Sequence, residues 1–399
     1  MHEIYIGRQP IYNNKLDVCA YELLYRPNNV NNEAGEVDHN AATTQVVLNA
    51  FLGFGLEDLV GQKLAFINLP RDFILGELPL PFAKERVVLE ILEGIEVDTA
   101  FIDAVRKLRS DGYEIALDDF LYRHDLRSLV ETSNIVKIDF LALPRSDIRA
   151  HVTALRELSV KLLAEKIETY DDFEFARELG FDYFQGYFFC KPKIVTGQSL
   201  SSNRLAILQL LAQLQDPNIK IKALADLVSR DVALSYKLIR GLNSAYYALP
   251  KAIESIHHAI VYLGLQQIKQ WVSLIALSNI PDKPPELMVI GVTRAKMCET
   301  LGEMLGENKE SCFTVGLFSV LDALMDTTME KSLAKLPLAD NIKAALLNHE
   351  GTLGKTLQCV IAYEEARWDD IDLPNVSPDT LTEAYFTAVA GADQITRTF

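Results

Sequence analysis

Six short apolar runs in the first half of the chain end on side chains that a packed interior does not favour. Asn68 closes Phe66-Ile67-Asn68, Glu90 closes Val87–Glu90, and Asp118 and Asp119 close Ile115–Asp119. Lys137 closes Ile135–Lys137, Glu165 closes Leu162–Glu165, and Gln185 closes Tyr183–Gln185. Glu22 interrupts a seventh run, Cys19–Arg26. Five carboxylates brought to one place cannot all stay ionised unless cations compensate them. Oxygen donors with few His or Cys favour Mg2+ or Mn2+ over zinc. Two such ions can activate a water and stabilise a pentacoordinate phosphorus. Arg26, four residues after Glu22, offers a fork of N–H donors for a phosphate. One acidic residue at a strand end is more often a cap or a surface group, but seven strands with the same habit fit that account poorly. The pattern alone leaves the substrate open.

To gather these groups the runs must be strands of one sheet. The spacing predicts eight: Ile4–Ile11, Asp17–Tyr25, Lys63–Asn68, Arg86–Ile91, Tyr113–Asp118, Asn134–Lys137, Val160–Glu165 and Tyr183–Phe188. Helical patterns lie between most of them, including Asp98–Arg109 ahead of Gly112 and Asp171–Leu179 ahead of Gly180. Strand–helix alternation on this scale predicts an α/β fold, a (β/α)8 TIM-like barrel whose active site lies at the C-terminal strand ends. Only Tyr12–Leu16 joins the first two strands, too few residues for a parallel crossover, so one antiparallel strand is expected. From Ser202 onwards the apolar spacing is helical and strand signal nearly vanishes, which predicts an all-α second domain. The Pro-, Gly- and Ser-containing stretch Lys191–Ser202 reads as the linker, giving domains 1–197 and 198–399. The polar stretch Asn28–His39 reads as a loop.

The chain has 399 residues and a formal charge of −16. That excess argues against tracking a nucleic-acid backbone or resting on an anionic membrane. Five scattered cysteines without a C-x-x-C pair suggest neither a disulfide framework nor a zinc finger. No secretory signal or membrane-spanning run is read, so a cytoplasmic protein is expected.

Seven phrases, Tyr21–Arg26 (YELLYR), Phe66–Pro70 (FINLP), Leu89–Glu93 (LEILE), Ala116–Phe120 (ALDDF), Val136–Phe140 (VKIDF), Leu162–Thr169 (LLAEKIET) and Tyr183–Phe189 (YFQGYFF), resemble in order and spacing the motifs of the EAL domain. That family hydrolyses cyclic di-GMP to the linear dinucleotide pGpG with Mg2+ or Mn2+. The resemblance implies that Glu22, Asn68, Glu90 and Asp118 are metal ligands, that Asp119 serves a second metal, and that Gln185 holds a water of the metal shell. It implies that Lys137 positions the attacking water or offsets phosphate charge, and that Glu165 is the essential glutamate, either general base or ligand. Arg26 would touch the dinucleotide phosphate, and Glu93 would brace a nearby loop. Two ions are implied for an active site, and a homodimer is among the partners the resemblance allows. Three departures stand out: Glu22-Leu23-Leu24 replaces Glu-Ala-Leu, Leu121–Ser128 replaces a small Gly-rich loop, and Lys166 stands where the family has Gly. The retained ligand set favours the hydrolase, while the altered loop and Lys166 favour the alternative, a degenerate EAL domain that senses cyclic di-GMP or acts as a protein scaffold.

Arg230–Tyr247 and Ile256–Val272 resemble the HDOD domain, a helical relative of HD phosphohydrolases. Ser319-Val320 stands at the place of a metal-binding His-Asp pair, so this domain is expected to bind a protein partner rather than to hydrolyse. His257 and His258 read as one core-facing and one surface imidazole, Trp271, Tyr246 and Tyr247 as core or interface, and Asn243 as a cap.

Overall fold

The computed structural model describes residues 4–27, 56–76, 80, 82–121, 123–193, 201–243, 253–280, 282–374 and 376–396. The expected loop Asn28–His39 and Tyr246-Tyr247 lie outside them, as does part of the expected linker. The chain divides into two compact units, Met1–Phe188 with Glu364–Trp368, and Phe189–Tyr363 with Asp369–Phe399.

In the first unit eight strands close a barrel in chain order. They are β1 (Ile4–Asn13), β2 (Val18–Pro27), β3 (Leu64–Leu69), β4 (Val87–Ile91), β5 (Glu114–Leu117), β6 (Ile135–Asp139), β7 (Lys161–Glu165) and β8 (Tyr183–Gln185). β1 runs antiparallel to both neighbours, β2 and β8, and the other pairs are parallel. The hairpin follows from Asn13, whose side-chain oxygen accepts from the N–H groups of Lys15 and Asp17 and turns the chain in place. The helices are α1 (Leu56–Val60), α2 (Arg71–Ile74), α3 (Thr99–Ser110), α4 (Arg127–Glu131), α5 (Arg145–Leu155) and α6 (Tyr170–Leu179). Asp98 caps α3 by accepting from Phe101 N at 2.7 Å, and Thr169 caps α6 through Asp172 N at 3.1 Å.

All eight strands lie where expected, with ends shifted by at most three residues, and two of the shifts bear on the barrel mouth. β6 continues past Lys137 to Asp139. β8 stops at Gln185 rather than Phe188, because Gly186 adopts φ +143 and Phe188–Cys190 winds into a 3-10 turn. Inside the barrel seven strands each give one buried side chain to a common layer: Ile11, Ala20, Phe66, Val88, Ala116, Ile135 and Leu163. Burying each of the larger ones contributes about 1.5–3 kcal/mol. This layer is the floor under the barrel mouth.

The second unit is helical: α7 (Ser202–Leu214), α8 (Ile221–Ser229), α9 (Val232–Leu242), α10 (Ile256–Leu263), α11 (Leu265–Ser278), α12 (Pro285–Met304), α13 (Lys309–Phe318), α14 (Leu321–Met325), α15 (Met329–Leu333), α16 (Asp340–Asn348), α17 (Gly351–Glu364) and α18 (Pro378–Thr396). α12 and α13 meet backbone to backbone at Gly316, where an added Cβ would lie 2.5 Å from Ala295 Cα and Arg294 O. Trp271 is buried in this core, as expected. Asn243 ends α9 as its cap, and its amide also pairs with both backbone groups of Ile253. No described helix is long and apolar enough to cross a membrane.

Candidate metal centre at the barrel mouth

Side chains two residues apart on a strand point to the same face. Each residue of the buried floor therefore dictates what stands one layer above it. Ala20 is followed at that spacing by Glu22, Phe66 by Asn68, Val88 by Glu90, Ala116 by Asp118, Ile135 by Lys137 and Leu163 by Glu165. Tyr183, packed against the floor, is followed by Gln185. β1 runs the other way, so the residue two before Ile11, Gln9, takes the same level and pairs in register with Glu22. Eight strands thus raise a polar ring on an apolar floor.

Lys137 stands at the centre of that ring. Its Nζ lies 2.5 Å from Asp118 Oδ1, 2.9 Å from Glu90 Oε1, and 3.2 Å from both Glu22 Oε2 and Glu165 Oε2. Gln185 Nε2 donates to Glu22 Oε2 at 2.6 Å and to Gln9 Oε1 at 2.8 Å. Asn68 Nδ2 lies 3.5 Å from Glu22 Oε1. Glu22, Glu90 and Asp118 bring one carboxylate oxygen each within 4.8 Å of one another.

A second group, Asp119, Asp139 and Glu165, meets the same criterion. Asp119 bends into it with φ +46, and Asp139 stands two residues beyond Lys137 on the inward face of β6. Asp139 Oδ1 accepts from the N–H groups of Leu141 and Ala142. Lys166 Nζ donates to Asp139 Oδ2 at 2.6 Å and to the two oxygens of Asp119 at 3.0 and 3.2 Å. Gly186 holds this corner together. Its Cβ position lies 2.1 Å from Ile167 O, so only glycine lets Ile167 N reach Gln185 O, the bond that ties the turn after Glu165 to the end of β8.

Six carboxylates and two ammonium groups leave the mouth with surplus negative charge. Burial, the Glu22 charge and then Asp118 push Glu90 well above the usual carboxylate range, against the pull of Lys137. Burial likewise pushes Glu165 well above its ordinary value and raises Asp118 above its own. Asp119 is also penalised by burial, yet hydrogen bonds with Glu165 and Lys166 bring it below its ordinary value. Burial works against the charged form of Lys137, but the four surrounding carboxylates raise it well above an ordinary lysine. Glu90 is fully buried, and its Oε2 has no hydrogen-bond donor among the described residues. A buried acid with an unused oxygen, beside further carboxylates and an amide oxygen, matches the donor set of a hard divalent cation.

The structure gathers Glu22, Asn68, Glu90, Asp118, Asp119, Lys137, Glu165 and Gln185 at one mouth. Glu93 lies apart, on an exposed turn after β4. Arg26 pairs through its backbone with Tyr5, and its side chain is outside the described residues. Gln9, Asp139 and Gly186 escaped the sequence reading as site residues; the two-residue spacing from Ile11 and Lys137 is the signal that finds the first two.

In the second unit Ser319 Oγ donates to Gly316 O and accepts from Arg294 Nη1, while Val320 is buried. Both His257 and His258 are exposed, so the expected core-facing imidazole is not found. Ile256, Ala259 and Ile260 form the buried face of α10 and turn both histidines outwards. Among the described residues, both groups able to hold a metal lie in the barrel.

The HDOD domain model matches residues 201–364 and the EAL domain model residues 72–192. Cyclic di-GMP phosphodiesterase CdgJ of Vibrio cholerae serotype O1 is 36% identical over 377 residues, covering 93% of this chain and 87% of its own. YuxH of Bacillus subtilis (strain 168) is 35% identical over 376 residues, covering 92% of each chain. The solved structure of the Bacillus subtilis YkuI protein, with an EAL domain, aligns at 20% identity and a TM-score of 0.40, over 57% of this chain and 72% of that one. Likeness to CdgJ across most of both chains, with both domain models matched in order, makes this protein a member of the EAL–HDOD tandem family.

Proposed function

We propose that the protein is a cyclic di-GMP phosphodiesterase that opens one phosphodiester of the ring to give linear pGpG. The reading assigns residues 1–197 to the EAL barrel and 198–399 to an HDOD domain that engages a protein partner. The single observation that carries it is the ring at the barrel mouth: Glu22, Glu90, Asp118 and Glu165 all within 3.2 Å of one buried ammonium. The likeness to CdgJ supports the substrate.

Glu22, Asn68, Glu90 and Asp118 would hold Mg2+ or Mn2+, with Asp119 serving a second position and Gln185 a water of the shell. Such an ion lowers the pKa of bound water and offsets charge on the phosphate. The chain's own groups do the rest. Glu165 takes the proton of the attacking water as its oxygen bonds to phosphorus, the P–O bond to the ribose 3′ oxygen breaks, and that oxygen takes a proton from solvent to leave as a hydroxyl. Lys137 keeps the carboxylates oriented and offsets developing negative charge on the phosphate. Arg26 grips the dinucleotide phosphate.

The test is turnover by the purified full chain with Mg2+ or Mn2+. Linear pGpG is expected from the natural chain and none from Glu22→Ala. No product with either metal at high protein concentration overturns the reading. The hydrogen bonds of Lys166 to Asp119 and Asp139 favour a second reading, a degenerate barrel that binds cyclic di-GMP without cutting it. Calorimetric binding without turnover would establish that one.

A further inference from the structure

The second acidic group already has a cation at its centre, and that cation is part of the chain. Lys166 Nζ spans Asp119 and Asp139 with contacts of 2.6–3.2 Å, the range of charge-assisted hydrogen bonds. Both oxygens of Asp119 face the ammonium. Asp139 spends one oxygen on Lys166 and the other on the N–H groups of Leu141 and Ala142. Of the three carboxylates, only Glu165 is not engaged by this ammonium in a hydrogen bond. The backbone delivers the amine there. Lys166 directly follows β7 with φ +55, and Asp119 follows the end of β5 with φ +46. Both are left-handed, a conformation that side-chain-bearing residues adopt at a cost. Two strained turns at the rim therefore face each other and are joined by an ion pair.

A divalent ion held by these carboxylates would compete with the ammonium for the same oxygens, and like charges that close together repel strongly. The ion can enter only if Lys166 leaves. The first group differs. One ammonium, Lys137, is shared by four carboxylates there, and Glu90 keeps Oε2 without a donor among the described residues. In the second group Glu165 Oε1 also lacks a donor, but Asp119 and Asp139 have both oxygens engaged, three of the four by Lys166.

We infer that Lys166 is a tethered monovalent cation filling the second metal position, so that the barrel mouth takes one divalent ion, between Glu22, Glu90 and Asp118, rather than two. This rests on the reading of the mouth as a metal centre and narrows it. The charge that a second ion would place beside the phosphate is supplied by the ammonium, and Lys166 becomes a positioning residue that fixes metal stoichiometry.

Mn2+ titrated into the full chain, with free Mn2+ read by electron paramagnetic resonance, tests this without any turnover. One tightly bound Mn2+ is expected for the natural chain, two for Lys166→Gly and one for Lys166→Arg. Glycine adopts φ +55 freely, so Lys166→Gly is not put at risk by the backbone. Glu22→Ala should lower the count by one in either background. Two ions on the natural chain, or one on both it and Lys166→Gly, overturns the inference while leaving the metal centre standing. No tight ion on any of them overturns the metal centre and the inference together.

Discussion

Lys137 carries more of the barrel mouth than any other side chain. It is 1% exposed and touches four carboxylates that would otherwise face each other in a nearly dry cavity. Removing one partner of a buried ion pair costs about 3–5 kcal/mol, because the other is left uncompensated. Lys137→Met should therefore destabilise the metal-free chain at pH 8 by about 3 kcal/mol or more. The loss should shrink at pH 5, where Glu90, Asp118 and Glu165, all raised by burial, take up protons and no longer need the ammonium. Urea unfolding in EDTA at both pH values measures this; an equal loss at the two would contradict it. At this scale the sequence was informative for a physical reason. Acidic and amide residues ending apolar runs are costly in a barrel wall, so Glu22, Asn68, Glu90, Asp118 and Glu165 were visible as anomalies. Asp139 is hidden because the apolar run predicts an end of β6 at Lys137, two residues before the strand stops. Gly186 was hidden because its value lies in a close approach to Ile167, which no one-dimensional pattern contains.

The strands were legible because β-branched runs alternate with helix caps, and the short Asn13-containing link could only be a hairpin. Boundaries shifted where a single dihedral decides them, as at Gly186. The histidines of α10 show the opposite limit. The sequence shows a His-His pair, but Ile256, Ala259 and Ile260 decide which way it faces. His349, by contrast, was not singled out and has a structural role. It caps α16 in the left-handed region at φ +55, and burial lowers its pKa below 6.5. The folded chain then binds a proton less readily than the unfolded chain, so this residue costs stability as pH falls through about 6.5. His349→Asn keeps a residue that tolerates the left-handed cap. It should flatten the loss of stability of the helical unit between pH 7 and pH 5. Unfolding curves at the two pH values check this, and an unchanged slope would contradict it.

At the scale of the whole molecule the chain carries −16, and six of its carboxylates meet at the barrel mouth, with Glu22, Glu90 and Glu165 buried there. Three of the six are raised by burial, so the metal-free fold holds these groups at a cost that a divalent ion would relieve. Mn2+ at a hundred times its dissociation constant should stabilise the folded chain by about 2.7 kcal/mol. Scanning calorimetry should show the gain reversed by EDTA and absent in Glu90→Ala; a transition indifferent to Mn2+ would contradict it.

The position of a bound ion decides the function of the barrel mouth most directly. Anomalous diffraction from crystals of the full chain grown with Mn2+ would locate it. A peak is expected within coordination distance of Glu22 in the middle of β2 and of Glu90 and Asp118 at the C-terminal ends of β4 and β5. A mouth without a peak, at Mn2+ concentrations that support binding in solution, would contradict the account.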